Sequence, residues 1–100
     1  MMLLELPDIT TFIDAPGRRA VFVRMRAQIE IRCPEGADRL QNLMPRAVDL
    51  VQIHLREMRR EEFHNERVMK HLRQERLARI NIMIDPVKTD RLLFREIIVQ

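Results

Sequence analysis

The sequence predicts an α+β domain: an antiparallel or mixed sheet in the order ββαααβ, with the helices on one side. Three observations carry this. Residues 20–33 alternate apolar and polar side chains almost without a fault, the period of a strand with one buried and one wet face. From Ala37 to Ile84 the apolar positions recur every three or four residues instead, the period of helices. The chain then closes on a second β-rich run, Leu92 to Gln100. Helices gathered between strands, rather than alternating with them, argue for segregated layers.

Leu6-Pro7-Asp8 leads into a short strand, Ile9 to Ile13. Asp14-Ala15-Pro16-Gly17 is turn chemistry, because proline presets φ and glycine accepts the positive φ that such turns need. The short strand and the long one therefore form an antiparallel hairpin, with Arg18 and Arg19 at its mouth. Along the long strand Val21, Val23, Met25, Ala27, Ile29, Ile31 and Cys33 point one way, and Arg24, Arg26, Gln28, Glu30 and Arg32 the other. A strand over residues 20–33 spans about 45 Å, so its backbone needs partners on both edges and its apolar face a covering layer. Cys33, at the end of that face, is expected to be a small buried hydrophobe.

Cys33-Pro34-Glu35-Gly36 breaks the strand. Leu40, Leu43 and Met44 mark a short helix, and Pro45 suits the first turn of a new one. This second helix runs to about Arg59 with Val48, Val51, Leu55 and Met58 in one stripe; Leu50 and Ile53 widen it, as if it were covered on more than one side. Arg60 to His64 is a polar hinge around one apolar anchor, Phe63. The third helix runs from an N-cap at Asn65 to Ile84, where Asp85-Pro86 stops it. Glu66–Lys70 and Glu75–Arg79 are spaced as i,i+4 ion pairs, and the apolar track shifts midway, at Glu75-Arg76. The final strand has mixed faces: Leu93, Ile97 and Val99 share one with Arg95, and Leu92, Phe94 and Ile98 share the other with Glu96. Such a strand fits a sheet interior or an oligomer contact.

One hundred residues make one domain, large enough for a core without disulfide or metal. Hydrophobic residues make up 46% and charged ones 33%, while aromatics are only 4%, so the core is aliphatic and methionine-rich. No apolar run reaches the length of a membrane-spanning helix, and the opening Met-Met-Leu-Leu-Glu-Leu-Pro lacks the basic region of a signal peptide. A soluble chain is expected.

Catalytic patterns are missing. His54, His64 and His71 have no metal-ligand spacing, serine is absent, and two glycines cannot build a phosphate cradle. Glu61, Glu62 and Glu66 sit in an arginine-rich segment with no apolar neighbours to raise a pKa. We therefore expect no enzyme, cofactor or metal. The net charge of +3, from 18 basic and 15 acidic residues, permits an anionic partner without requiring one. Arg67, Lys70, Arg73, Arg76 and Arg79 recur every three residues, so the series drifts by about 60° per step around a helix and makes no single stripe. A solvated helix is the better reading, and a small basic nucleic-acid-binding module the alternative. Arg24, Arg26, Gln28, Glu30 and Arg32 form either a wet sheet face or a protein-contact surface that sets register between subunits. Arg95 and Glu96 on the final strand join them as candidate contacts.

Several segments, taken together, resemble a known family. They are Leu6-Pro7-Asp8-Ile9, the long alternating strand, Met44-Pro45-Arg46-Ala47-Val48-Asp49, Leu72-Arg73-Gln74-Glu75 leading to Arg79-Ile80-Asn81, and the ending Leu93-Phe94-Arg95-Glu96-Ile97-Ile98-Val99-Gln100. In this order they are similar to the C-terminal domain of the flagellar basal-body-associated FliL family. The resemblance implies one domain over residues 1–100, similar to the stomatin (SPFH) fold, on the periplasmic face of the inner membrane at the flagellar basal body. It implies partners among the flagellar stator proteins, a homo-oligomeric ring, and anchorage by a transmembrane helix that this chain does not contain. It implies neither a catalytic site nor a nucleic-acid partner.

Overall fold

A computed structural model describes residues 2–13, 17, 20–33, 35–85 and 88–100. Among these described residues, four strands, three α-helices and one 3₁₀ turn follow in the order β1 (Met2–Glu5), β2 (Ile9–Ile13), β3 (Val21–Ile31), α1 (Glu35–Asn42), α2 (Met44–Arg56), the 3₁₀ turn Arg60–His64, α3 (Glu66–Met83) and β4 (Thr89–Val99). The class is α+β and the sheet is wholly antiparallel. Three strands, not two, precede the helices: the opening segment, expected to carry no element, is β1.

β3 organises the sheet. β1 pairs with its second half (Glu5 opposite Gln28), β2 with its first half (Ile9 opposite Met25), and β4 with nearly its whole length (Val23 opposite Val99, Ile31 opposite Thr89). β4 overlaps both β1 and β2 on the same residues of β3. These two therefore lie in tandem along one edge, and β4 occupies the other. Between β1 and β2, the Leu6 N–H still bonds the Ala27 carbonyl at 3.0 Å, but Pro7 has no N–H to offer the ladder. The break shifts the phase: Leu4 and Leu6 reach the core from even positions, Ile9, Thr11 and Ile13 from odd ones. Because β1 and β2 alternate out of step, no single period runs through them, which hides β1 in the sequence.

β4 carries the matching irregularity on the opposite edge. Arg26 faces Glu96, yet the next residue, Ala27, faces Phe94, so Arg95 is an extra residue. This β-bulge resets the alternation. Leu92 and Phe94 before it, and Ile97 and Val99 after it, all reach the core side, while Leu93, Glu96 and Ile98 share the other face through their β3 partners Gln28, Arg26 and Arg24. The mixed faces read from strict alternation are thus two clean faces joined by a bulge.

The helices pack on the buried face of β3. α2 runs over β2, α3 runs over β4, and α2 lies against α3. Pro45 sits in the first turn of α2 and separates it from α1. Met44, Ala47, Val51 and Leu55 make the buried stripe, extended by Met58. Ile53 is left exposed, so α2 is covered on one side only. α2 ends at Arg56, and Phe63 in the 3₁₀ turn anchors its polar segment in the core. Asn65 caps α3 as expected, its side chain accepting from the N–H groups of Arg67 and Val68. Each fully buried aliphatic side chain contributes about 1.5–3 kcal/mol, and strands and helices share one core cluster.

Two local expectations are corrected. Cys33 is exposed, because β3 ends at Ile31 and the alternation no longer aims the cysteine at the helices. Neither anticipated i,i+4 pair on α3 closes: Glu75 turns instead to Arg76 and His71, both at 3.0 Å. Of the turn at residues 14–17, only Gly17 is among the described residues, with φ +71°; Arg18, Arg19 and Pro86 lie outside them.

Candidate functional site

The open face of the sheet brings together every residue that the sequence nominated for contact. Alternation along β3 turns Arg24, Arg26, Gln28 and Glu30 away from the helices, and the bulge places Arg95 and Glu96 beside them. Most polar groups have partners within the face. Arg24 Nη2 lies 2.7 Å from Asp8 Oδ2, and this hydrogen-bonded carboxylate raises the Arg24 pKa above its ordinary value. Arg26 stands between Glu96 at 3.7 Å and Glu5 at 4.0 Å. Gln28 links the two edges, donating to Glu5 Oε1 at 3.0 Å and accepting from Arg95 Nε at 2.7 Å. Glu30 lies opposite Arg91 and Leu3 and is nearly buried, at 9% exposure. Arg32, past the strand end, lies 3.0 Å from Asp90 Oδ2; this is a charge contact only, since that buried oxygen receives no hydrogen bond.

These ion pairs are exposed, so each contributes at most about 1 kcal/mol and less in salt. Their consequence is charge balance. Arg24, Arg26 and Arg32 are answered by carboxylates and Arg95 by Gln28, which leaves no free cationic ladder among the described residues of this face. A recess of about 110 Å³ opens where both neighbours of β3 are irregular, lined by Glu5, Arg26, Gln28, Arg95 and Glu96 with Leu6 and Ala27 beneath. The face also carries apolar groups that the sequence reading passed over. Phe12 and Phe22 pack with their rings tilted at 58° and centroids 5.5 Å apart, and Phe12 is 66% exposed. Leu3 is exposed, and Leu93 and Ile98 are half-exposed. Knowing that β2 pairs with β3 in the register Phe12 opposite Phe22 would have located this aromatic patch.

One member of the basic series of α3 leaves the surface, while Arg67, Lys70 and Arg79 are exposed. Arg76 points inward with its side chain 12% exposed, donating from Nη1 to the Leu50 carbonyl at 3.1 Å and from Nη2 to Glu75. It fills the gap that the sequence showed as a shift in the apolar track, between Leu72 and Ile80. His54 is half-buried beside it, not a surface histidine; burial chiefly, and the Arg76 charge next, lower its pKa. Glu75 is held below its ordinary pKa, mainly by the hydrogen bond from Arg76. Among the described residues no group of three or more His, Cys, Asp or Glu side chains could hold a metal. No described helix is long and apolar enough to cross a membrane.

The chain is similar to proteins of one flagellar family. The family model described as "Flagellar basal body-associated protein FliL" matches residues 3–100. The chain is 31% identical over 99 residues to the flagellar FliL protein of Caulobacter vibrioides, with the same values for strains NA1000 and CB 15. The alignment covers 99% of this chain and 48% of each relative, so the chain spans about half the length of the curated relatives it matches. On the match over residues 3–100, the chain belongs to the flagellar basal body-associated FliL family.

Proposed function

We propose that this domain is a non-enzymatic scaffold of the bacterial flagellar motor that self-associates and supports the stator units. The observation that carries this reading is the family match along nearly the whole chain. Beside it, the open sheet face offers polar groups already matched in charge and apolar groups left uncovered. Such a surface suits a protein partner better than an anion, because interface cores bury apolar groups and their rims pair polar ones. We assign the domain to the periplasmic face of the inner membrane at the basal body. The attachment to that membrane would be a transmembrane helix, as the family resemblance implies. We further propose that the α+β architecture is of the stomatin (SPFH) type and that copies close into a ring.

The test is a titration of the purified domain with the periplasmic segment of a flagellar stator protein, alongside sedimentation velocity across a concentration series. Saturable binding and a sedimentation coefficient that rises with concentration are expected. Exchanging Arg24 and Arg26 for glutamate would weaken the contact by breaking their ion pairs with Asp8, Glu5 and Glu96. A strict monomer indifferent to the stator segment would overturn the reading.

A further inference from the structure

The two edges of the sheet are finished differently. On the β2 edge, Gln52 of α2 donates to the Thr10 carbonyl at 2.7 Å and Arg56 reaches the Thr11 hydroxyl at 3.3 Å. At the start of β4, Asn81 takes the place of a strand residue: it accepts from the Thr89 N–H at 2.7 Å and donates to the Thr89 carbonyl at 3.2 Å. Among the described residues, β4 beyond Thr89 pairs with β3 alone. Its apolar residues after Leu92, namely Leu93, Phe94, Ile97, Ile98 and Val99, are all only half-buried. An unpaired edge of this length is a template for another strand.

The hydrogen-bond phase shows which backbone groups face outward. Phe22 and Gln100 exchange both N–H to C=O bonds at 2.8 Å, so the even-numbered residues of β3 bond toward β4. Their partners Leu93, Glu96 and Ile98 turn inward, while Leu92, Phe94, Ile97 and Val99 turn their N–H and C=O groups to the free edge. Because of the bulge at Arg95, this order is a palindrome about Arg95-Glu96. Reading outward from that centre in either direction, the residues are open-face, core-face, open-face, core-face. Their backbone groups follow the same symmetry. Without the bulge, an antiparallel copy centred there would place core residues opposite open-face ones.

We propose that β4 pairs edge to edge with β4 of a second copy, antiparallel, about a two-fold axis at Arg95-Glu96, extending one sheet across two chains. In that register Arg95 faces the partner chain's acidic residue at 96 and Glu96 the partner chain's basic residue at 95. Phe94 meets isoleucine 97, and Leu93 meets isoleucine 98. A bulge and charges ordinarily guard an edge against pairing. Here they are self-complementary in this register, and shifting it by one residue either way sets Arg95 against arginine or Glu96 against glutamate. That charge match is what commits the edge to its own copy. The inference rests on the self-association proposed above and names one interface of it: a two-fold contact joins copies in pairs, and the ring would need a further contact between pairs.

The experiment uses the 100-residue chain with the exposed Cys33 replaced by alanine, carrying either Leu93→Cys or Ile98→Cys. These two positions form a non-hydrogen-bonded pair in the proposed register, the kind with the closer side chains. Mild oxidation of an equimolar mixture is expected to give the mixed 93–98 disulfide dimer, with each variant alone staying uncrosslinked. Arg95→Glu, which sets two glutamates face to face twice in the dimer, is expected to weaken association of the uncrosslinked protein at least tenfold in sedimentation, with the circular dichroism spectrum unchanged. Association without the mixed disulfide, or with 93–93 or 98–98 products, overturns this pairing and leaves self-association standing. A monomer at every concentration overturns both.

Discussion

At the scale of single residues, two side chains join parts of the fold that share no sequence pattern. Asn81 is the clearer. It accepts from the Thr89 N–H and hydroxyl and donates to its carbonyl, holding the end of α3 to the start of β4. Removing the carboxamide leaves partly buried backbone groups without partners, which costs roughly 1–3 kcal/mol. Asn81→Ala should therefore lower the unfolding free energy by that amount, read as a lower urea midpoint with an unchanged m-value, and Asn81→Asp should fall between this variant and the parent chain, since it keeps the acceptor and loses the donor. Asn81 was visible only as a member of the segment Arg79-Ile80-Asn81. Nothing in its spacing announces a bond to a residue across a turn. Arg76 left a faint signal, the shifted apolar track, but a guanidinium that bonds a carbonyl of another helix cannot be read from either helix alone.

At the scale of elements, the irregularities of β4 and of the β1–β2 edge decide what faces where. Leu93 and Ile97 are separated by an even number of positions and by strict alternation would share a face; the bulge at Arg95 puts Leu93 on the open face and Ile97 on the core side. Leu93→Thr should change stability by less than about 0.5 kcal/mol, as surface substitutions do, whereas Ile97→Thr should cost about 1–2 kcal/mol for lost burial and a hydroxyl with no bond. Equal effects in chemical denaturation would mean that the strand is regular and the bulge absent. The helices were more legible than the strands. Their stripes and the Asn65 cap follow from local periodicity and local hydrogen bonds, and Pro45 marks the start of α2 by covalent geometry. Bulges lack such a mark, because the extra residue is recognised only against the strand it fails to match.

At the scale of the whole molecule, the two eleven-residue strands, β3 and β4, stretch the domain to 48 × 24 × 20 Å. One core cluster runs along that length and takes side chains from strands and helices alike. Its stability should fall on acidification. The His54 pKa is lowered in the folded chain, so the unfolded chain binds the proton more readily, and linkage makes stability decline as pH drops. The contribution is complete above the ordinary histidine value of about 6.5 and is lost as pH falls from there toward the depressed folded value. Glu75, also lowered, acts in the same direction in the carboxylate range. Thermal melts from pH 7.5 to 5 should show a falling midpoint, and His54→Gln should flatten the part of that fall below 6.5. An unchanged slope in His54→Gln would assign the loss to other groups.

The sequence by itself determined the class, the long strand with its two faces and the three helices, because periods of two and 3.6 are local properties that one chain displays without help; the family followed from the resemblance of its ordered segments. The residues nominated for contact do lie together on the open face, since alternation along β3 alone places Arg24, Arg26, Gln28 and Glu30. Tertiary structure decided what those side chains meet. Only the pairing register brings Asp8 to Arg24, Glu5 and Glu96 to Arg26, and Arg95 to Gln28, turning an apparent arginine ladder into a balanced face. It also decided that β1 exists, that Cys33 is exposed and that the free edge of β4 is palindromic. Each depends on a partner strand distant in sequence, or on where pairing stops, and no local period encodes either.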